Sequence, residues 1–442
     1  MSVDKNLFLY DVAIVSIMKN EGPYIKEWLD YHLLAGADHF YIYDNGSPDN
    51  QKEVLKPYID AGIVTYIFYP GQARQYEAYS DAVKNYRFFC KHMAFIDGDE
   101  FIFPQNNKNI VEVLDEILQD KSKAGGVAVN WHQFGSNFQE KADLNRGVLD
   151  RFTRRASDEN IAINPKNNLP SGNAHIKTIG NPRKIDFFQN PHYAIFFDYS
   201  FPVNEKGEQV KFFFNNPPTV EKIVLNHYPM KSREEYEKKV SRGAADSFVN
   251  IYVKHPFENY YNDEADEEII KYRDAKINAL KSAGNENLFD IAAAKLKLKY
   301  ENLGNALLKN LLPVLSENVP PEFFDDKMET FLTCFAISKK LNIAYRNEPL
   351  ALYSLLAVHK QLLKKNDLAD YLLFLNALPD ILEYTGSLVD EIRKTCSELI
   401  PFLIEYIRIR YNNFNRYYYW SKISELQFLQ KMLKSFDANI KR

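Results

Sequence analysis

Short β-branched and aromatic runs alternate with longer stretches of helical period over the first 130 residues of the chain. VAIVSI (12–17), HFYIYD (39–44), IVTYIF (63–68), HMAFID (92–97) and GVAVNW (126–131) read as strands. Between the first two, Ile25, Trp28, Leu29, His32 and Leu33 recur at i, i+3, i+4, i+7 and i+8. With Pro23 near the start and Gly36 just past the end, that spacing predicts a helix. Further helices are predicted over about 49–60, closed by Gly62, over about 72–90 and over about 109–119. Strands separated by helices in this way run parallel and are joined by right-handed crossovers, so the expected architecture is an α/β layered sheet.

That rhythm is lost between residue 131 and about 230, where turn clusters such as NPKNNLPSGN and NNPPT interrupt short apolar runs, the last being IVLNHY (223–228). Ser232 and Glu235 then form an S-x-x-E capping box that opens a helix to about Arg242. From about 265 onward nearly everything has helical period. The chain therefore divides into an α/β domain over 1–245, a helical connection over 246–289 and an all-helical C-terminal domain over 290–442.

Composition narrows the function classes. With 55 basic against 59 acidic residues and a net charge of −4, a dedicated polyanion binder is excluded, and no nucleic-acid partner is expected. Aromatic residues make up 14% of the chain against only 17 Gly and 20 Pro, which favours a packed protein over a disordered one. Cys90, Cys334 and Cys396 are far apart and form no C-x-x-C pair, so neither a disulfide framework nor a cysteine zinc site is expected. No window holds 18 uncharged apolar residues, and the N-terminal apolar run is too short for a signal segment. A cytoplasmic protein with at most peripheral membrane contact is the expectation.

In open α/β sheets ligands gather beyond the carboxyl ends of the strands. There the chain places Lys19-Asn20-Glu21 after the first strand, Asp44-Asn45-Gly46-Ser47 after the second and Asp97-Gly98-Asp99-Glu100 after the fourth. Asp97 and Asp99 carry the hard oxygen donors that a divalent cation shares with phosphate, although a bare D-x-D is also a solvated acidic turn. The Asp44 run reads equally as a turn or as a nucleoside contact, and Asn20-Glu21 equally as a helix cap. His227 ends a strand and Lys231 precedes the capped helix. They are a metal ligand and a phosphate partner, or a structural histidine and a surface lysine. Lys177, Arg183 and Lys184 form a basic cluster near His175 and His192.

Five ordered blocks carry a resemblance: N-E-G-P-Y-I-K-E-W-L-D-Y-H-L-L-A-G-A-D-H-F-Y-I-Y-D-N-G-S-P-D (20–49), Q-x-x-A-Y-S-D (75–81), D-G-D-E-F (97–101), W-x-x-F-G-S (131–136) and N-H-Y-x-x-K-S-x-E-E-x-x-x-K-x-x-R-G (226–243). Together they resemble glycosyltransferase family 92 and related family 2-like glycosyltransferases over about residues 10–245. The resemblance implies a GT-A (Rossmann-like) nucleotide-sugar-binding domain ahead of the all-α C-terminal domain. It also implies inverting transfer of a hexose, galactose above all, from a UDP-sugar to a saccharide or glycolipid acceptor, with Mn2+ (or Mg2+) as cofactor.

Carried over by position, Asp97, Asp99 and His227 are the implied metal ligands. Asn20, Glu21, Asp44, Asn45, Gln75 and Asp81 lie on the nucleoside side, and Gly98 and Lys231 beside the diphosphate. Trp131, Phe134, Gly135 and Ser136, with Lys177 and His192, form the sugar or acceptor wall. Glu100, beside Asp99, is the candidate base. The N-terminal anchor of eukaryotic relatives is missing, and the implied setting is bacterial surface polysaccharide or lipooligosaccharide assembly at the inner membrane. The C-terminal helices are expected to pack or to form a homo-oligomer, with the basic and aromatic stretch 406–422 as an alternative lipid contact. Two other readings stay open. A sugar nucleotidyltransferase would carry a G-x-G-T-R loop where this chain has SIMKNEG, and a scaffold with a vestigial domain would not bind a UDP-sugar.

Overall fold

The computed structural model describes residues 8–314 apart from 162, 164–167, 198, 244–256, 258–260 and 286, together with 333, 336, 337, 340 and 341. The expectations for Cys396, for 406–422 and for most of the C-terminal helical domain lie outside the described residues. Phe8–Leu303 forms one compact unit.

Half of its main sheet consists of the parallel strands β1 (Tyr10–Met18), β2 (His39–Asp44), β3 (Val64–Phe68) and β4 (Cys90–Phe95), in the order β3-β2-β1-β4. They are joined by α1 (Ile25–Ala35), α2 (Gln51–Asp60) and α3 (Gln75–Tyr86). The hydrophobic period of α1 buries Ile25, Trp28, Leu29, Tyr31, His32 and Ala35 against the sheet. Each large side chain so placed contributes about 1.5–3 kcal/mol. Gly36 ends α1 in the left-handed region at φ 105°, where a side chain is strained, and its amide donates to Leu33. The third helix is shorter than its predicted 72–90, because Gly71 (φ 134°) still turns before it and Cys90 already belongs to β4.

The rest of the chain to residue 227 forms β5 (Glu100–Pro104), α4 (Ile110–Leu118), β6 (Ala124–Gln133), α5 (Val148–Arg151), β7 (Arg154–Arg155), β8 (Ile176–Gly180), β9 (Ile185–Asn190), β10 (Tyr193–Phe196), β11 (Phe201–Val203) and β12 (Ile223–His227). The sheet continues β4-β8-β6-β12-β5, with β11 beside β6, while β9 and β10 pair separately. The predicted strand β6 keeps the direction of β4, but the parallel order is interrupted in this half. β8 runs antiparallel to β4 and β6, and β5 antiparallel to β12. No crossover helix separates β4 from β5, so β5 cannot return parallel beside β4 and instead forms the far edge.

That edge is covered by α1. Trp28 Nε1 donates to the Glu100 carbonyl (2.8 Å), Tyr31 Oη to the Ile102 carbonyl (3.0 Å), and the Ile102 amide to His32 Nε2 (3.1 Å). These are the outward-facing polar groups that pairing with β12 leaves over, and α1 satisfies them with side chains. Burial pushes the His32 imidazole down to about 3, so it stays neutral and keeps Nε2 as an acceptor. The start of β5, and with it the turn before Glu100, is thereby held from both sides.

After β12 come α6 (Arg233–Arg242), β13 (Glu264–Ala265), which pairs with β7, α7 (Glu268–Ser282) and α8 (Leu288–Val314). The capping box of α6 forms as the spacing predicts. Glu235 also accepts both nitrogens of a paired Arg151 guanidinium (2.8 and 2.9 Å) and the Tyr24 hydroxyl (2.8 Å), so the start of the helix is anchored below the surface. Among the described residues no helix is long and apolar enough to cross a membrane.

Candidate active site

The four parallel strands end in a cleft of about 360 Å³. Its floor is Met18, Lys19 and Glu21 after β1, Asn45 after β2, Gly71, Gln72 and Gln75 between β3 and α3, and Asp97, Gly98 and Asp99 after β4. Facing them stand Trp131 of β6, His192 of the β9–β10 turn, His227 at the end of β12, and Lys239 and Arg242 of α6. A second cavity of about 650 Å³ shares Glu21, Asp99, Pro229, Lys239 and Arg242 with the cleft and extends to Asn20, Tyr24, Asp49, Tyr228 and Lys231. The ends of β1–β4, β6 and β12, the β9–β10 turn and the helices α3 and α6 converge here, because the main sheet collects those strand ends on one side.

The carboxylates are engaged in different ways. Asp97 accepts from Gln75 Nε2 (2.7 Å) on one oxygen and from Lys177 Nζ (2.8 Å) on the other. Lys177, projecting from β8 with 1% side-chain exposure, also lies 3.6 Å from Glu100. Burial opposes its charge, but Asp97 and Glu100 hold the ammonium well above the usual lysine range. Glu100 itself is wholly buried and pushed up by that burial, and it accepts from the Asp97 amide (2.8 Å). Asp99 accepts from Lys239 Nζ (2.6 Å), while its other oxygen faces His227 Nε2 at 3.6 Å. Burial works against the Asp99 charge, yet Lys239, His227 and Lys231 hold its carboxyl well below the usual range. Burial lowers His227 to about 4, leaving it neutral near pH 7. Glu21 accepts from Arg242 (2.6 Å) on one oxygen, and its other oxygen, 3.7 Å from Lys231, has no hydrogen-bond partner.

The model of glycosyltransferase family 92 matches residues 15–281, more than half of the chain and the carboxyl ends of all the strands that build the cleft. The chain belongs to glycosyltransferase family 92. A family 92 protein of Oryza sativa subsp. japonica is 27% identical over 147 residues, 33% of this chain and 25% of that protein. A galactan β-1,4-galactosyltransferase of Arabidopsis thaliana is 35% identical over 110 residues, 22% of this chain and 21% of that protein. The matched segments thus span only about a quarter of these relatives' own length. The crystal structure of S. aureus TarS 1–349 with UDP aligns over 79% of this chain and 88% of that one at 12% identity and a TM-score of 0.28.

Within this family 92 domain the site residues named from sequence fall into two groups. Asn20, Glu21, Asn45, Gln75, Asp97, Gly98, Asp99, Trp131, His192, His227 and Lys231 line the cleft or its companion cavity. Others line neither. Asp44 is spent on its own turn, accepting from the Ser47 amide (2.8 Å) and the Tyr66 hydroxyl (2.6 Å). Asp81 accepts from Tyr43 (2.7 Å) and Asn85 (2.9 Å). Phe134 stacks on Tyr228, the Gly135 amide donates to Arg154, and Ser136 Oγ accepts from the Phe138 amide, so this stretch continues β6 into the core rather than walling a sugar site. Lys177 and Glu100 lie behind Asp97, out of the cleft. Lys239 and Arg242 line the cleft without having been named. Their signal was the K-x-x-R-G ending of the last motif block, two basic residues three apart on one helix face.

The donor set fits a divalent ion in part. Asp99 and His227 offer an oxygen and a neutral imidazole nitrogen across a gap too wide for a hydrogen bond, and a phosphate-bound ion needs only one or two protein ligands. Asp97 stands apart from them, each of its oxygens already accepting one hydrogen bond. Among the described residues no group of three or more His, Cys, Asp or Glu converges on a point.

Proposed function

We propose that this protein transfers a hexosyl group, galactosyl in the first instance, from a UDP-sugar to a hydroxyl of a saccharide or glycolipid acceptor, with inversion at C1, in the synthesis of a surface polysaccharide. The reading rests on the cleft at the ends of β1–β4, where carboxylates, a neutral histidine and a tryptophan face one another in a family 92 domain. Relatives named as galactan galactosyltransferases support galactose as the sugar.

In this reading Asn20, Asn45 and Gln75 take the nucleoside side. The Trp131 indole, 7% exposed and packed beside His175, His192 and His227, borders the sugar side of the cleft. A divalent ion, Mn2+ or Mg2+, held by Asp99 and His227, would supply charge for the departing diphosphate. The second cavity, which meets the cleft at Glu21 and Asp99, takes the acceptor. The C1–O bond to the diphosphate breaks with its electron pair leaving on phosphate, the acceptor oxygen bonds to C1 from the opposite face, and its proton must pass to a base. Glu100 cannot reach that proton. Among the described residues Glu21 and Asp99 are the cleft carboxylates with an oxygen that no hydrogen bond engages; with Asp99 given to the ion, Glu21, whose other oxygen is fixed by Arg242, is left to receive the proton.

UDP release from UDP-galactose, UDP-glucose and UDP-N-acetylglucosamine, with Mn2+ and with EDTA, tests the assignment. UDP-galactose should turn over fastest and EDTA should suppress it; absence of release from every donor sinks the reading. Glu21→Gln should lower kcat by about 10²–10⁴-fold with KM little changed.

A further inference from the structure

Lys239 stands where a cation would be most useful to Asp99. Its ammonium donates to Asp99 Oδ2 at 2.6 Å and to the Pro229 carbonyl at 3.2 Å, and its side chain is only 16% exposed. The oxygen it takes belongs to one of the two donors that fit a divalent ion, so an ion approaching Asp99 meets a positive charge already bound there. Lysine is a point charge on a flexible four-carbon stem, and it can be drawn from one anion to another without moving the helix that carries it. Lys239 lines both cavities, so its side chain borders open space. Lys177, on the neighbouring carboxylate, has none.

We propose that Lys239 is a phosphate-binding gate on the ion site: it neutralises Asp99 until a nucleoside diphosphate competes for its ammonium, and the ion then gains Asp99 together with the nucleotide. The proposal rests on the reading that the cleft takes a nucleoside diphosphate with a divalent ion. It adds an order of binding and a residue that enforces it. Because coupling between two ligands is reciprocal, UDP must tighten Mn2+ binding by the same factor as Mn2+ tightens UDP binding.

Electron paramagnetic resonance titration of Mn2+ against the full chain, with and without UDP, tests this without any turnover. The wild-type protein should bind Mn2+ at least about tenfold more tightly with UDP than alone. Lys239→Met should bind Mn2+ alone nearly as well as the wild-type protein does with UDP, and should lose most of the UDP effect. Lys239→Arg keeps the charge and should keep weak ion binding. Lys238→Met removes an equal charge one residue away and should behave as wild type. Unchanged Mn2+ affinity in Lys239→Met, or equal tightening in Lys238→Met or Lys239→Arg, overturns the gate while leaving the ion site standing. No Mn2+ binding by the wild-type protein even with UDP overturns the ion site and the gate with it.

Discussion

Asp97 and Asp99 stand on either side of Gly98, and each accepts a hydrogen bond from a lysine, but Lys177 comes from inside the sheet and Lys239 from the last turn of a helix. On the Asp97 side, Gln75, Lys177 and Glu100 lock the carboxylate into the fold, with the lysine 1% exposed. On the Asp99 side, the carboxylate has one lysine and an imidazole just out of hydrogen-bond reach, all open to a cavity. The same pair of residue types is thus structural where the lysine is buried inside the sheet and exchangeable where the lysine borders a cavity, even though the Asp97 carboxylate, 33% exposed, is more open than Asp99 at 13%. In a D-x-D turn the two carboxylates need not share one job.

The largest effect should come from the open side. Asp99→Asn is expected to cut sugar transfer by about 10²–10³-fold with the fold retained, measured by UDP release and circular dichroism. Near-normal turnover would break the assignment of Asp99 to the reacting side. Next is stability on the closed side. Lys177→Met leaves the buried Glu100 beside Asp97 without its cation and should cost about 3–5 kcal/mol in urea unfolding, while Lys239→Met should stay within about 1 kcal/mol. Equal losses in the two variants would erase the distinction.

Acid should separate the two sides again. The folded Asp99 carboxyl lies well below its unfolded value. Its contribution is therefore complete above about pH 4 and is lost as the pH falls further. Glu100 is raised, so its contribution has the opposite sign and is lost as the pH rises through its folded value. Asp99→Asn should accordingly flatten the unfolding curve below pH 4, and an unchanged acid limb would contradict the direction given for Asp99. The smallest effect is expected at Gly98. Its φ lies outside the left-handed region, and a Cβ there would meet Met18 Cε at 3.3 Å and Glu21 Cγ and Met18 Cγ at 3.4 Å, all side-chain atoms. Gly98→Ala should cost less than about 1 kcal/mol; a large loss would mean that the turn tolerates no displacement of Glu21.

Much of this was legible from residue pattern. HFYIYD is β2 end to end, Gly36 terminates α1 as its position implied, and Ser232 and Glu235 cap α6 as their spacing required. These features are local, and local chemistry decides them. Trp28 and His32 were recognised on the apolar face of α1 and Tyr31 was not, and periodicity does not reveal that all three donate to or accept from the backbone of β5. Glu100 was read as part of an acidic turn. It is the first residue of a strand, and its burial is compensated by Lys177 from β8, a partner with no local signature. Phe134, Gly135 and Ser136 were given a sugar-facing role by their place in a motif, when tertiary packing on Tyr228 accounts for them. Motif membership marks a residue as needed without saying whether it is needed for chemistry or for the frame around it.

The anchored start of α6 has one further consequence. Glu235 fixes the axis and phase of the helix, and Lys239 and Arg242 inherit their direction from it through one to two turns of backbone. Each residue of helix turns the chain by about 100°. Deleting a single residue between Glu235 and Lys239 would leave the cap in place and swing both basic side chains away from the strand ends. Chain length in this short segment is therefore itself a catalytic parameter: the segment can accept substitutions on its outer face, but not a change in the number of its residues.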